Sequence, residues 1–283
     1  MKRMLPVTEL ARDERFSHMA IEDAVFDPRN LSPSAQRNTL APTYENATDN
    51  ARGLMHGIFV GEIQALEGAG RTCFDFDLGE ARDQAPLGLK LDMARQCWDE
   101  ARHVEISIKL GEHMGSQIGE FAEQTLLYEA ACNPDPVLRL TGVNRALEGL
   151  AIDVFKTMRD FGTVLSDPVL EFAEDWMLAD EVTHVKMGSD WLRRLTENDS
   201  QRRKDALEFQ HIVDKMFSFG GTRSESEESP IGLARRFREL AGFTVEEIDA
   251  VAEVSLHALH ESDAEKTKAR DEARGAFVQT TTQ

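Results

Sequence analysis

The stretches WDEARH at residues 98–103 and ADEVTH at residues 179–184 share the pattern D-E-x-x-H. A Glu and a His three residues apart lie on the same side of an α-helix, so both side chains can reach one metal ion. A single E-x-x-H match often arises by chance. Two matches, each preceded by Asp and each set in a long helical pattern, indicate a duplicated metal-binding motif.

The glutamates of both motifs lie on helix faces that are predicted to point inward. Around Glu181 the neighbours three and four residues away include Met177, Leu178 and Val185, and around Glu100 they include Val104. An ionised carboxylate in a dry core costs several kcal/mol unless an opposite charge compensates it. A metal ion would supply that charge. The alternative is a pair of surface salt-bridging helix faces, which glutamate-rich helices often show.

A dinuclear carboxylate site in a four-helix bundle uses one further Glu from each of the two other helices. Glu62 is flanked by apolar residues in the first predicted helix, with Glu67 as its competitor. Glu148 is the candidate in the third, with Glu129 as its rival. The predicted metal ligands are Glu62, Glu100, His103, Glu148, Glu181 and His184. Four carboxylates and two imidazoles suit iron, or manganese as the alternative, rather than structural zinc.

The apolar periodicity predicts an all-α fold, a ferritin-like four-helix bundle with additional N- and C-terminal helices. Long helices are predicted at about 46–68, 87–115, 137–162 and 167–196, and shorter ones at about 118–131, 200–217, 231–241 and 244–262. Gly68 and Gly70 are read as the end of the first helix. The predicted organisation is an N-terminal extension (1–45), the bundle with its dinuclear site (46–196), a C-terminal helical extension (197–262) and a flexible tail (263–283), with a loop at 218–230.

Composition excludes several classes of partner. The net charge of -19 would repel nucleic acid, and no run of residues is apolar enough to span a membrane. The N-terminus lacks the apolar core of a secretion signal, which predicts a cytoplasmic protein. Three cysteines without CxxC spacing indicate reduced thiols. A homodimer is the default expectation for the assembly.

Several segments resemble the ferritin-like diiron-carboxylate superfamily. FVGEIQA (59–65) is similar to the first-helix motif of rubrerythrin-type proteins. The chain more closely resembles a poorly characterised bacterial ferritin-like family likened to tRNA-hydroxylating diiron monooxygenases. The segments that carry this resemblance are LMHGIFVGEIQALE, WDEARH, LEGLAID, DEVTHVKMGSDW and ARRFRELAGFT, which together run from about residue 54 to 244.

The resemblance implies that Asp99 and Asp180 each hydrogen-bond a ligand histidine on the partner helix. The chain departs from the family pattern at Val60, where a histidine is expected, and at LEGL, which replaces an arginine-containing LEARGL. Because of these departures, the substrate of the family is not transferred to this chain.

The expected activity is that of a non-haem diiron oxygenase or oxidase. It would use O2 and electrons from a donor to oxidise a small organic substrate by hydroxylation, N-oxygenation, desaturation or C–C cleavage. The alternative is a ferroxidase or iron-handling protein without an organic substrate, and dimanganese catalase chemistry stays open. A tRNA substrate is disfavoured by the acidic balance.

Overall fold

The computed structural model describes residues 44–121, 123–219 and 230–281, and these residues form an all-helical structure. The helical segments are α1 (Tyr44–Asp75), α2 (Leu87–His113), α3 (Leu126–Ala131), α4 (Pro136–Leu140), the π-helical segment π1 (Thr141–Leu147), α5 (Glu148–Leu165), α6 (Pro168–Leu195), α7 (Ser200–Phe219), α8 (Pro230–Leu233), α9 (Arg235–Leu240), α10 (Val245–His260) and α11 (Asp263–Thr281). The described ranges contain one isolated β-bridge, between Leu78 and Ala85, and no strand. The predicted all-α class is therefore confirmed.

Local capping signals explain where the long helices begin. Asp167 precedes Pro168 and accepts hydrogen bonds from the backbone N–H groups of Val169 and Leu170, both at 3.1 Å. An Asp at the N-cap satisfies N–H groups that have no partner inside the helix, and Pro is favoured in the first turn. Thr244 and Glu247 form a capping box at the start of α10.

The first predicted helix was wrong at its C-terminal end. The sequence places a break at Gly68 and Gly70, whereas α1 continues to Asp75. A Cβ added at Gly68 would lie 3.1 Å from the Cβ of Ala131. This glycine therefore serves close packing between helices and does not end the helix.

Two further predictions need correction. The third predicted helix, 137–162, is divided into α4, π1 and α5, because a π-helical segment interrupts the α-helical hydrogen bonds. The short helix predicted at 118–131 forms only over Leu126–Ala131, and Gly119 has a φ of 80°, a value that L-residues rarely adopt.

The tail predicted to be flexible is helical over Asp263–Thr281. Ala273 and Phe277, four residues apart on one face of α11, are buried. The Phe277 ring stacks on that of Phe209 in α7 with centroids 5.6 Å apart. Two buried apolar residues thus hold this helix in place, although the polar composition of the segment did not predict a helix. The predicted N-terminal extension, apart from its last two residues, and most of the predicted loop at 218–230 lie outside the described residues.

The chain divides into two compact units, whose boundaries fall within α1 and α2. Among the described residues, the first takes in Tyr44–Val60 together with those of Ser107–Thr125. In it, Arg52 donates to the carbonyl of Gly115 at 2.9 Å, and the backbone N–H of Gly119 donates to His56 Nε2 at 2.9 Å.

The second unit comprises Gly61–Ile106 and the residues from Leu126 onward. Close packing of α6 on the preceding helical stretch positions its central residues. A Cβ added at Gly162 would lie 2.7 Å from the backbone nitrogen of Glu171, and one added at Gly188 would lie 2.7 Å from the Cβ of Asn144. Small residues at both ends therefore let α6 approach α5 and π1 closely. None of the described helices combines the length and apolarity needed to cross a membrane.

Candidate metal centre

The second unit brings all six predicted ligands into one buried cluster. Their carboxylate and imidazole atoms form two overlapping groups, each with its ligand atoms within 4.8 Å of one another. The groups are Glu62, Glu100, His103 and Glu181, and Glu148, Glu181 and His184. All six residues are at most 5% exposed. Such groups can hold metal ions, and four helical segments supply them: α1, α2, α5 and α6.

His103 marks one end of the cluster. Its Nδ1 lies 2.9 Å from Glu62 Oε2, 3.2 Å from Glu100 Oε2 and 3.5 Å from Glu181 Oε1. Three carboxylates from three helices thus face one imidazole nitrogen.

His184 marks the other end. Its Nδ1 lies 3.2 Å from Glu181 Oε1 and 3.2 Å from Glu100 Oε1. The two oxygens of Glu100 therefore face one histidine each, and Glu181 approaches both histidines. Glu100 and Glu181 are central, whereas Glu62 lies on the His103 side and Glu148 shares a group with His184.

The outer nitrogen of each histidine contacts an aspartate from the opposite motif. His103 Nε2 lies 3.3 Å from Asp180 Oδ2, and His184 Nε2 lies 3.3 Å from Asp99 Oδ2. A carboxylate that accepts from the outer N–H leaves Nδ1 unprotonated and facing inward, which is the state a metal requires. The crossed contacts implied by the resemblance are therefore present in the structure.

Two buried amides, Gln96 and Asn144, complete one side of the cluster. Gln96 Nε2 donates to Glu100 Oε1 at 2.9 Å and also to Glu148 Oε1. Asn144 Nδ2 donates to Glu148 Oε2 at 2.9 Å and to Gln96 Oε1 at 2.8 Å. Asn144 lies in π1, and π-helical turns often occur at functional sites.

Neither amide is among the site residues predicted from the sequence. Their positions do indicate that they belong to the site, because each amide lies four residues before a predicted ligand glutamate and hence on the same helix face.

Two aromatic rings lie close to His103. Its ring centroid lies 6.2 Å from that of Phe155 and 6.0 Å from that of Trp176. The Arg102 guanidinium lies 4.8 Å from the Trp176 ring centroid and 3.5 Å from Asp180. Two aromatic rings therefore lie beside His103, and Arg102 contacts both aspartates, Asp99 as well as Asp180.

The buried charges strongly perturb one another. Burial raises the pKa of Glu62 and of Glu148 well above the usual range, and neighbouring carboxylates raise both further. Burial also opposes ionisation of Glu100, but His184 and His103 outweigh it and lower the pKa of Glu100. Burial would lower the pKa of both histidines, yet the surrounding carboxylates raise it. Without metal, the cluster therefore shares protons between carboxylates and imidazoles, and a bound cation would displace them.

The arrangement suits a metal ion in its chemistry as well as in its spacing. Glu100 Oε2 is buried, and apart from its 3.2 Å contact with His103 Nδ1, which does not meet the geometry of a hydrogen bond, it has no hydrogen-bond partner within the described ranges. A buried carboxylate oxygen without a donor calls for an explanation, and a cation at the cluster would provide one.

The rival residues lie elsewhere. Glu67 is exposed and belongs to neither group, and Glu129 forms an ion pair with Arg274. His257 is largely exposed and pairs with Glu261. The choice of Glu62 and Glu148 over their competitors therefore agrees with the positions of the side chains.

Residues 7–249 match a protein family described as "Protein of unknown function (DUF455)". Because this match covers most of the chain, the protein belongs to that family. No curated protein and no solved structure matches the chain.

Proposed function

We propose that this member of the DUF455 family is a non-haem diiron oxygenase or oxidase built on a ferritin-like four-helix bundle. The observation that carries the proposal is the crossed duplication of the cluster, in which two D-E-x-x-H motifs share Glu100 and Glu181 between two imidazoles. Two equivalent halves with shared carboxylates suit two adjacent metal ions. A single structural metal would need only one half.

The residues of the chain have separate tasks in this proposal. The six Glu and His side chains would hold the iron pair, and Asp99 and Asp180 would orient the imidazoles. Gln96 and Asn144 would fix Glu148 by donating hydrogen bonds to it. Phe155, which is buried beside His103, would help to exclude water from the cluster.

When bound, the iron pair would supply the oxidising chemistry with O2, for hydroxylation, N-oxygenation, desaturation or C–C cleavage of a small organic substrate. Electrons would come from a separate donor. Manganese is the alternative metal, because this ligand set suits both.

Anaerobic titration of the metal-free protein with Fe(II) tests the proposal. We expect saturation at about two irons per chain, and Glu67→Gln serves as a control because Glu67 is exposed and outside the cluster. Saturation at about one iron, or binding that survives Glu100→Ala and His184→Ala, would contradict the site.

With a reductant and an organic substrate present, the iron-loaded protein should then consume O2 and leave an oxidised product of that substrate. A ferroxidase would instead consume O2 with excess Fe(II) and accumulate many irons per chain.

A further inference from the structure

A seventh acidic residue of this region, Glu174 in α6, is buried without a partner. It is 0% exposed, and neither of its carboxylate oxygens has a hydrogen-bond partner within the described part of the chain. Glu148, which is equally enclosed, receives hydrogen bonds from two amides. Glu174 is therefore unlike the cluster residues, and the metal-ligand groups do not include it.

The surroundings of Glu174 are apolar. The residues on its side of α6 four before, three after and four after it are Leu170, Met177 and Leu178, each at most 2% exposed. Glu181 lies seven residues further along the same face, roughly 10 Å along the helix axis. His103 is near enough to act electrostatically on Glu174. The carboxyl thus lies on the same face of α6 as the cluster residue Glu181, within an apolar stripe.

A buried carboxyl group without a hydrogen-bond partner destabilises the folded protein. Burial raises the pKa of Glu174 well above its usual range, because the ionised form is poorly solvated there. The protonated form also lacks an acceptor for its O–H. The other half of the cluster shows that the fold does not require an acid here: the residue seven before Glu100 is Met93, which is 1% exposed.

We propose that Glu174 binds a positively charged nitrogen of the organic substrate, an ammonium or a guanidinium group. This inference rests on the proposed function and specifies its substrate class. An organic cation would satisfy both oxygens through charge-assisted hydrogen bonds, while its carbon chain packs against Leu170, Met177 and Leu178. A metal ion is the weaker occupant, because it needs several ligands and Glu174 belongs to no ligand group.

The spacing also sets the form of the substrate. Its charged end would lie at Glu174, and the atom to be oxidised would lie near the level of Glu181, roughly 10 Å along the helix axis. The substrate is therefore an elongated amine or guanidine with an apolar middle.

Calorimetry on the protein loaded with Zn(II), which is redox-inert, tests this without turnover. The probes are n-alkylammonium ions from propyl to decyl, with the 1-alkanols and n-alkanoates of equal length as comparisons. We expect ammonium ions of one or more lengths to bind, and the alcohols and carboxylates to bind at least tenfold more weakly. Glu174→Gln should weaken ammonium binding about tenfold or more, whereas Glu171→Gln, an exposed residue one turn earlier, should not.

Failure of every alkylammonium to bind, equal binding of alcohols, or unchanged affinity in Glu174→Gln would overturn the inference. Two-metal binding measured in parallel separates the two proposals. If wild type and Glu174→Gln both hold two metals but show no preference for cations, only the inference on Glu174 fails. If wild type holds no metal pair, both fail.

Glu174→Met provides a second measurement, since it introduces the residue of the other half. We expect a higher Tm for the ligand-free variant and loss of the thermal shift that alkylammonium gives with wild type. A lower Tm would mean that the carboxyl stabilises the fold and is not retained for a ligand.

Discussion

The two halves of the cluster share a motif but differ one turn away from it. In α2 the residues Asp99, Glu100 and His103 have the same spacing as Asp180, Glu181 and His184 in α6, and each aspartate contacts the other helix's histidine at 3.3 Å. The two motifs therefore repeat the same residue types at the same spacing and make the same crossed contacts.

The difference begins four residues before each central glutamate. That residue is Gln96 in α2, which is bonded to Glu100 and Glu148, and Met177 in α6. Three residues earlier still, α2 has Met93 and α6 has Glu174. The motif thus repeats the candidate ligands in both helices. The preceding turn of α2 contributes to a network of amides, whereas the preceding turns of α6 are apolar except for one acid. In the proposed metal pair, the two positions would therefore differ in their surroundings.

The largest effect should come from the carboxylates that both halves share. Glu100→Ala or Glu181→Ala should abolish binding of both metals, because each of these side chains faces both histidines. Glu62→Ala or Glu148→Ala should leave about one metal per chain. Elemental analysis after dialysis measures the stoichiometry. Equal losses in all four variants would remove the distinction between shared and peripheral carboxylates.

The crossed aspartates test whether the halves are equivalent. Asp99→Asn and Asp180→Asn should each weaken metal affinity by about 10–100-fold, because an amide cannot orient and polarise the imidazole as a carboxylate does. Competition with a chelator measures the affinity, and Asp190→Asn, an exposed position on α6, is the control. A loss confined to one aspartate would show that the two contacts are not equivalent.

Exchanging the residues one turn before the glutamates tests where the halves differ. Gln96→Met removes hydrogen bonds to two carboxylates, and Met177→Gln puts a polar amide in place of an apolar side chain that is 0% exposed. Each should lower the free energy of unfolding of the metal-free protein by about 1–3 kcal/mol. Urea denaturation measures it. If either exchange were neutral, the amide network would not distinguish the halves.

A smaller effect is expected at Gly188, seven residues after Glu181. Gly188→Ala should lower the free energy of unfolding by about 1–2 kcal/mol, since its Cβ would lie 2.7 Å from the Cβ of Asn144. Gly275→Ala in α11 is the matched control, because a Cβ there has no neighbour within 4 Å. Thermal unfolding compares them, and a Gly188→Ala variant as stable as the control would show that π1 moves without cost.

Helix periodicity in the sequence was sufficient to predict which side chains of the candidate site lie together. The spacing of Glu100 and His103, and the apolar neighbours of Glu62, identified residues that the structure brings together. The all-α class followed from the same periodicity. These features depend on local geometry, which every residue of a helix shares.

Features that depend on contacts between helices escaped prediction. Asn144 and Arg145 are polar side chains that would not be expected on a buried helix face, yet both are buried in π1 and hydrogen-bonded. Gly68 was taken as a helix breaker because its packing against Ala131 lies far along the chain. The helix after Asp263 was missed because two residues, Ala273 and Phe277, carry its burial.

The contact between Trp176 and His103 gives the protein an optical reporter of its own metal content. The chain has only three tryptophans, and the ring of Trp176 lies 6.0 Å from that of His103. Emission from Trp176 should be quenched when iron occupies the neighbouring site, whereas Trp98, which is 67% exposed, should respond mainly to solvent quenchers. Metal loading can therefore be followed by intrinsic fluorescence, with neither a label nor a substrate.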